Sequence, residues 1–381
     1  MNFANIYQAR EEIMNDLYPD PLENLLGKID PHYNRKMVQD NEKRWNILKS
    51  ALLESAEHRT VYGVNENNVD YVLYKRLKLL KDVWKEFEDL RINKLKIPED
   101  LTLRLWNVYI PFSEWIVNKR KNIPKDKAYI LGINGGQGSG KSTLVAVMKL
   151  LLEKQGYTSI AASIDDYYLP LDRREKLKKR VPYFWARAPF GTHDVELGIK
   201  TFRKLKFKKP VEIPKFKKDL YDGKGDRAPK EEWQKVDRVD IVLFEGVGVG
   251  CCRPLPEQEL DKPTGNELVD RIEKRDDPDG TFRRIVNREV EKYRPWFDLC
   301  DNLIVMKVPS LEKIREWRRL QEIKLREETG KGMTDKEVEK FLDYWTPPTW
   351  RYVIPLAESE DVDLVFEIGE DHDIKRVIAK K

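Results

Sequence analysis

Residues 128–144 constrain the fold of this chain more than any other segment. A short apolar run is followed by a glycine-rich stretch and then by a helix-like pattern that begins at Lys141. The stretch fills the pattern G-x-x-x-x-G-K-[ST], in which Gly135, Gly140, Lys141 and Ser142 occupy the fixed positions. A strand, a glycine loop and a helix in this order predict a phosphate-binding loop.

The residue types in this loop suit an anion. Glycines allow consecutive backbone N–H groups to point at phosphate oxygens, and the following helix directs its positive end at the same place. Lys141 is expected to reach the β- and γ-phosphates, and the Ser142 hydroxyl to hold Mg²⁺. The alternative is a glycine-rich turn that matches by chance, which the flanking strand and helix disfavour. The predicted ATP-binding residues are Gly135, Gly136, Gln137, Gly138, Ser139, Gly140, Lys141, Ser142 and Thr143.

The apolar periodicity divides the chain into two regions. Residues 1–122 place apolar residues at three- and four-residue intervals, as in segments 42–57 and 71–90, which predicts packed amphipathic helices. Residues 123–381 alternate short apolar runs with longer helical ones, which predicts an α/β domain with a doubly wound, mainly parallel sheet of the P-loop NTPase type. The predicted architecture is therefore α/β with a helical N-terminal extension, whose role is open.

Acidic residues follow two of the predicted strands. Asp165 and Asp166 come after the strand at 157–164, and Glu245 follows the strand at 239–244. The carboxyl ends of strands in an open parallel sheet face the ligand crevice. We therefore expect these acids near the γ-phosphate, where a carboxylate can bind Mg²⁺ or position the attacking group. The alternative for the aspartates is a helix cap or a solvated pair.

Three further segments carry expectations about function. Residues 170–235 predict a long, basic, aromatic-rich loop region that binds the acceptor substrate. Residues 262–284 predict a polar insertion with a surface turn. Residues 311–334 contain a helix dense in arginine, which is either a solvated face or a lid whose cations stabilise a migrating phosphoryl group. The arginines of this candidate lid are Arg315, Arg318, Arg319 and Arg326.

Composition limits the remaining classes of function. A net charge of +5 is small beside 71 basic and 66 acidic side chains, so it does not predict nucleic-acid binding. The apolar runs are too short to predict a membrane span. Three cysteines, two of them adjacent, do not form a disulfide framework or a metal motif, and the start of the chain shows no signal-peptide pattern. We expect a cytoplasmic protein, and the sequence does not predict its oligomeric state.

The motifs together resemble the P-loop D-glycerate 3-kinases, within the phosphoribulokinase, uridine kinase and pantothenate kinase group. The resemblance covers about residues 100–357 and also includes Trp317-Arg318-Arg319-Leu320-Gln321-Glu322 and Gly330-Lys331-Gly332-Met333-Thr334. The motifs that carry it occur in family order: Gly-Gly-Gln-Gly-Ser-Gly-Lys-Ser (135–142), Ser-Ile-Asp-Asp-Tyr-Tyr-Leu (163–169), Gly-Thr-His-Asp (191–194), Gly-Asp-Arg-Ala-Pro (225–229) and Phe-Glu-Gly (244–246).

The resemblance implies transfer of the γ-phosphoryl group of ATP, with Mg²⁺, to a hydroxyl of a small, acidic molecule. It implies that Asp165 is the general base, with Lys141 and a lid arginine, Arg318, stabilising charge, and that Asp166 and Glu245 join Ser142 at the metal. The residues that the resemblance places at the acceptor are Asp165, Tyr168, Arg187, His193, Asp194, Asp226 and Arg227.

Three departures from the family pattern lie where the acceptor is expected to bind. Phe216-Lys217 replaces a Tyr-Asp pair, residues 187–191 read Arg-Ala-Pro-Phe-Gly, and Glu245-Gly246 continues as Val-Gly-Val-Gly-Cys-Cys. The main hypothesis is a kinase that makes phosphoglycerate from glycerate. The alternatives are a kinase for a nucleoside, a sugar phosphate or a pantothenate-like acid, and a nucleotide-binding protein with little turnover.

Overall fold

The computed structural model of the chain describes residues 3–17, 21–30, 32–33, 40–221, 223–330 and 332–380. Asp222, in the predicted acceptor region, and Lys331, in the candidate lid, lie outside these described residues.

The described chain is rich in helix. Its α-helices, in chain order, are α1 (Phe3–Asp16), α2 (Leu22–Ile29), α3 (Asn41–Glu54), α4 (Ala56–Thr60), α5 (Val69–Asp89), α6 (Thr102–Arg104), α7 (Ile110–Lys121), α8 (Lys141–Lys154), α9 (Leu171–Arg180), α10 (Val195–Lys206), α11 (Glu267–Asp276), α12 (Thr281–Glu291), α13 (Arg294–Phe297), α14 (Leu311–Thr329) and α15 (Asp335–Pro348).

The described strands are short, and all of them lie after residue 128. They are β1 (Tyr129–Gly135), β2 (Ser159–Ser163), β3 (Val211–Ile213), β4 (Phe216–Lys217), β5 (Asp226–Arg227), β6 (Gln234–Val236), β7 (Ile241–Gly246), β8 (Asn302–Lys307), β9 (Leu364–Ile368) and β10 (Ile374–Ala379).

The chain divides into two compact units, and the first consists of Met1–Asn122, Ser142–Ser159 and Asp373–Ala379. Its N-terminal helices bury apolar stripes, as the periodicity predicts: α3 buries Leu48 and Leu52, and α5 buries Leu73 and Leu77. A buried polar network lies among them. The Arg76 guanidinium donates from Nε to Glu114 Oε2 at 3.0 Å and from Nη1 to His58 Nδ1 at 3.2 Å.

The second unit is Ile123–Lys141, Ile160–His372 and Lys380–Lys381, and it is built on a parallel sheet. Its strands run in the order β9-β8-β1-β7-β2, with β1 parallel to both β7 and β8 and β8 parallel to β9. All seven residues of β1 are buried, which is typical of a parallel strand covered on both faces. The predicted α/β class with a mainly parallel sheet is confirmed.

The region from 170 to 235 is not the long loop that the sequence predicts. It folds into α9 and α10 and into two small antiparallel pairs, β3 with β6 and β4 with β5. Each strand in these pairs has only two or three residues, too few for alternating hydrophobicity to show in the sequence.

The surface turn predicted within 262–284 is present at 277–280, where Gly280 N donates to the Asp277 carbonyl oxygen at 3.0 Å, but helix α11 (Glu267–Asp276) precedes it. Buried Glu273 on this helix pairs with buried Arg351 at 2.7 Å between Oε2 and Nη2. The Asp277 side chain, 4% exposed, accepts from the backbone N–H groups of Phe282 and Arg283 and so caps α12. Glu273 and Asp277 therefore satisfy buried groups, whereas Pro278 and Asp279 of the turn are exposed.

After this turn the chain forms two separate helices, α12 and α13, with Pro295 in the first turn of α13. Proline has no N–H to donate and is best tolerated where a helix begins. Across the described ranges, no helix combines the length and the apolar character required to cross a bilayer.

Candidate active site

The phosphate loop has the backbone that its glycines predict. Gly138 and Gly140 have φ values of +79° and +88°, in the left-handed region that favours glycine. The loop also packs tightly against α14. A Cβ on Gly138 would lie 2.7 Å from Trp317 Cβ, and one on Gly136 would lie 2.8 Å from Ile314 Cδ1. Two positions in the loop therefore exclude a side chain.

The Lys141 ammonium group is buried against the loop, with 9% of the residue exposed. Its Nζ donates to the carbonyl oxygens of Gly135 and Gly136, at 3.0 and 2.9 Å. Burial lowers the pKa of Lys141, although the carboxylates of Glu245 and Asp165 act in the opposite direction. Two of the three acids predicted to lie near the γ-phosphate, Glu245 and Asp165, are thus close enough to act on the loop lysine.

The loop residues fit a triphosphate by their unsatisfied polar atoms. In the described part of the chain, the Ser139 hydroxyl is buried and has no hydrogen-bond partner. Ser142 and Thr143 are the second and third residues of α8, where backbone N–H groups have no intrahelical acceptor. A bound phosphate supplies acceptors for such donors.

Asp165 lies directly after β2, and its backbone N–H donates to Ser163 Oγ at 3.3 Å. Its Oδ2 accepts from Lys218 Nζ at 2.6 Å. Burial acts to raise the pKa of Asp165, but the Lys218 ammonium, with smaller effects of His193 and Arg187, lowers it overall. This carboxylate is therefore ionised at neutral pH.

Asp166 behaves differently from its neighbour. Burial, with a smaller effect of the Asp165 charge, raises the pKa of Asp166 to about 6, although the Phe216 N–H donates to its Oδ1 at 3.0 Å. Burial also raises the pKa of Glu245, which stands on β7 opposite Ile133 of β1. The carboxyl groups of Asp166 and Glu245 are therefore protonated more readily than that of Asp165.

The predicted acceptor residues Tyr168, Arg187 and His193 lie together beside Asp165. The rings of Tyr168 and His193 stack at 4.2 Å and 20°, and the Arg187 guanidinium lies 5.9 Å from the Tyr168 ring centre. Arg187 Nη1 and His193 Nε2 are buried with no hydrogen-bond partner within the described chain. Two unsatisfied nitrogens next to an ionised carboxylate are suited to binding a polar ligand.

Asp194, Asp226 and Arg227 instead bond mainly to protein groups. Asp226 Oδ1 accepts from Leu171 N at 2.8 Å, at the start of α9, and Asp194 Oδ1 caps α10 at Leu197 N. Arg227 Nη2 donates to Asp194 Oδ2 at 3.3 Å and to the Tyr168 carbonyl oxygen at 3.0 Å. Asp194 and Arg227 border a cleft of about 360 Å³. Of the three residues, Arg227 contacts Tyr168 directly, through its carbonyl oxygen.

The arginines of the candidate lid are all paired with acids. Arg318 pairs with Glu322 on the same helix, and its guanidinium lies 5.7 Å from the centre of the Phe341 ring. Arg315 Nη2 donates to Asp343 Oδ1 at 2.7 Å. Arg319 pairs with Glu339, and Arg326 with Asp335. In this structure the helix contributes Ile314 and Trp317, rather than an arginine, to the phosphate loop.

Similarity to known proteins decides the family. No protein-family model matches the chain. The chain is 28% identical over 309 residues to the chloroplastic D-glycerate 3-kinase of Arabidopsis thaliana, a match that covers 76% of this chain and 64% of the plant protein. It is 32% identical over 244 residues to the uncharacterized kinase mug58 of Schizosaccharomyces pombe, covering 62% of this chain and 85% of the yeast protein.

The chain belongs to the family of P-loop kinases that includes these two relatives. The solved structure of D-glycerate 3-kinase from Cryptococcus neoformans shows the same fold, with a TM-score of 0.59 and 22% identity, over 71% of this chain and 96% of that one.

Two site residues of the kinase were not predicted from the sequence. Lys218 neutralises Asp165, whereas its neighbour Lys217 pairs with Glu232 at 2.6 Å. The departure at Lys217 therefore pairs with Glu232 rather than with Asp165. The Oη atom of Tyr293 lies 2.8 Å from Nδ1 of His193, although a hundred residues separate the two in sequence. Only the packing of the chain brings them together.

Proposed function

We propose that this kinase transfers the γ-phosphoryl group of ATP to a hydroxyl of glycerate and yields ADP and phosphoglycerate. The observation that carries the proposal is the position of Asp165. Its ionised carboxylate follows β2, close enough to Lys141 of the phosphate loop to affect its pKa, and lies beside the unsatisfied nitrogens of Arg187 and His193. A base, a phosphate loop and an acceptor pocket are thereby adjacent.

Asp165 would accept the proton of the attacking hydroxyl as its oxygen bonds to the γ-phosphorus and the bond to the ADP oxygen breaks. Its low pKa does not disqualify it, because phosphoryl transfer requires positioning more than a strong base. Lys141 would stabilise the charge on the phosphates. Arg318 would assist from the lid after it leaves Glu322.

The proposed metal ligands are Ser142, Asp166 and Glu245, as the sequence motifs indicate. Carboxylate and hydroxyl oxygens are the ligands that Mg²⁺ prefers, together with water and substrate phosphates. Mg²⁺ would neutralise phosphate charge during the transfer. Among the described residues, no three acidic, histidine or cysteine side chains converge as an all-protein metal cage, which suits an ion held largely by phosphate and water.

An acidic acceptor is favoured by the donors around Asp165. Arg187 has an unpartnered Nη1, and an arginine guanidinium binds a carboxylate with two parallel hydrogen bonds. We propose that glycerate binds with its carboxylate at Arg187 and that Asp194, Asp226 and Arg227 act by holding Tyr168 in place.

The wider assignments are proposals of the same kind. We propose that residues 123–381 form the kinase domain and residues 1–122 a helical extension, and that the kinase works in the cytoplasm on small molecules, with neither a nucleic-acid nor a membrane partner. The free cysteines Cys251, Cys252 and Cys300 suit a reducing compartment. Cell fractionation with an antibody to the chain tests the location.

The deciding experiment measures ADP release by the purified protein with Mg-ATP and a panel of acceptors. The panel contains D-glycerate, uridine, pantothenate and ribulose 5-phosphate. Strong stimulation by glycerate alone, with 3-phosphoglycerate as the product, supports the proposal. Stimulation by another acceptor keeps the mechanism and changes the substrate. ATP binding without stimulation by any acceptor contradicts the proposal and favours a nucleotide-binding protein.

A further inference from the structure

The Tyr293 hydroxyl connects the backbone of the acceptor region to His193. Its Oη accepts from Gly191 N at 3.0 Å and lies 2.8 Å from His193 Nδ1. Tyr293 is fully buried, and its ring packs edge-on against Phe190 with the ring centres 5.6 Å apart. The hydroxyl is therefore fixed in position at the end of a rigid, packed ring.

The direction of these bonds follows from the Gly191 amide, which can only donate. Tyr293 Oη therefore accepts one hydrogen bond, from the Gly191 N–H, and still has its own proton to donate. If Tyr293 donates that proton to His193 Nδ1, then the Gly191 N–H, the Tyr293 hydroxyl and His193 Nδ1 each have a hydrogen-bond partner. If Nδ1 carried the proton instead, the buried tyrosine proton would have no acceptor among its contacts in the described chain. Burying such a proton without an acceptor is unfavourable.

We propose that Tyr293 is a positioning residue that fixes His193 as a neutral imidazole protonated on Nε2, and that this N–H donates to an oxygen of the bound acceptor. The identity of the acceptor rests on the proposed function. His193 is 6% exposed, and its Nε2 is a buried nitrogen with no partner in the described part of the chain. An acceptor oxygen is the group that would satisfy it.

A neutral donor suits this place in the pocket. Burial lowers the pKa of His193 to about 4, and nearby Asp165 opposes this effect only partly, so the ring is uncharged at neutral pH. A cationic imidazole would compete with Lys218 for the Asp165 carboxylate. The stacked Tyr168 ring keeps the imidazole plane fixed. His193 can therefore orient the acceptor without drawing charge from the base.

The proton position can be measured directly, without turnover. The chain has four histidines, so a long-range ¹H–¹⁵N spectrum of histidine-labelled protein is simple, and the signals missing in His193→Gln assign this ring. We expect wild-type His193 to be protonated on Nε2 and Tyr293→Phe to show a mixture of tautomers. A wild-type ring protonated on Nδ1 overturns the proposal.

Tyr352→Phe is the matched control for Tyr293→Phe. Tyr352 also packs edge-on against Phe190, at 5.7 Å, and its buried Oη donates to Asn287 Oδ1 at 2.8 Å. Both variants lose one buried hydroxyl beside the same ring, but only one loses contact with His193. We expect Tyr293→Phe to raise the acceptor KM about tenfold, with a smaller effect on kcat, and Tyr352→Phe to leave both unchanged.

A second pair of variants locates the working nitrogen. In glutamine the amide nitrogen can reach the place of Nε2, whereas in asparagine it lies nearer that of Nδ1. His193→Gln should keep the acceptor KM within a few-fold of wild type, and His193→Asn should raise it at least tenfold. The reverse order, or equal KM values for Tyr293→Phe and Tyr352→Phe, overturns the proposal. A wild type without turnover refutes the proposed function instead, and the spectrum still tests the tautomer.

Discussion

Two adjacent aspartates in this kinase have opposite electrostatic environments. Asp165 is held ionised by Lys218, whereas burial raises the pKa of Asp166 to about 6. Neighbouring acids with separated pKa values can take different roles, because the acid with the lower pKa stays ionised, and so available as a base, over a wider pH range than its neighbour. This separation supports Asp165 as the base and Asp166 as a metal ligand.

Asp165→Asn tests the proposed base. An amide of the same shape cannot accept the hydroxyl proton, so we expect kcat to fall by about 10²- to 10⁴-fold while the Kd for ATP changes little. Steady-state kinetics and nucleotide titration measure the two quantities. Asp172→Asn, on exposed α9, is the control and should retain activity. Full turnover by Asp165→Asn would exclude this residue as the base.

Lys218→Met tests the pairing that lowers the pKa of Asp165. Without the ammonium group that pKa rises, so the base becomes protonated at a higher pH and the acid limb of the pH–rate profile shifts upward. Lys217→Met is a matched control, because Lys217 pairs with Glu232 instead. The same shift in both variants would show that general surface charge, rather than the Lys218 contact, sets the profile.

At the scale of secondary structure, α14 supports the phosphate loop through Trp317, which is 2% exposed. Trp317→Ala leaves a cavity behind Gly138, so the loop loses the surface that fixes its curvature. We expect the free energy of unfolding to fall by about 3–5 kcal/mol and the Kd for ATP to rise about tenfold. Denaturant unfolding and nucleotide titration check both. Leu320→Ala, exposed on the same helix, should change neither.

The ion pair between Glu273 of α11 and Arg351 ties this helix to the segment after α15. Both side chains are buried, and Arg351 Nη2 also donates to the Leu260 carbonyl oxygen at 3.2 Å. Glu273→Ala leaves a buried guanidinium without its carboxylate, which costs about 3–5 kcal/mol. Glu267→Ala, on the exposed start of α11, is the control. Equal unfolding curves for the two variants would contradict this prediction.

At the scale of the whole molecule, buried histidines couple stability to pH. Burial and the Arg76 charge lower the pKa of His58 from 6.5 to about 3. The unfolded chain therefore binds more protons between these values, and stability falls as the pH is lowered through this window. Each pH unit within it corresponds to about 1.4 kcal/mol for one such group.

His58→Gln should remove this part of the acid sensitivity. Urea unfolding at a series of pH values from 6 to 4.5 gives the free energy of unfolding of wild type and variant. We expect the difference between them to change with pH in favour of the variant as the pH falls. Asp166 acts in the opposite sense in both proteins, so it cancels in the difference. Parallel pH profiles would show that His58 is protonated in the folded state.

The sequence alone predicts the features that depend on local chemistry. Short stretches of neighbouring residues predict three such features: the phosphate loop, the acids at the ends of β2 and β7, and the succession of strand β1 and helix α8. They do so because backbone geometry and strand burial depend on residues close together in sequence. The α/β class and the family followed from these motifs. The apolar periodicity also predicts helices α3 and α5, since each helix buries one face.

Only the tertiary structure decided which charges meet. The sequence does not indicate that Lys218 rather than Lys217 faces Asp165, because the choice depends on how β4 pairs with β5. It also gives no signal for Tyr293 at His193, or for Arg351 at Glu273, since these contacts join distant segments. Long-range packing sets the distances between charges, and those distances set the pKa values on which the chemistry of the site depends.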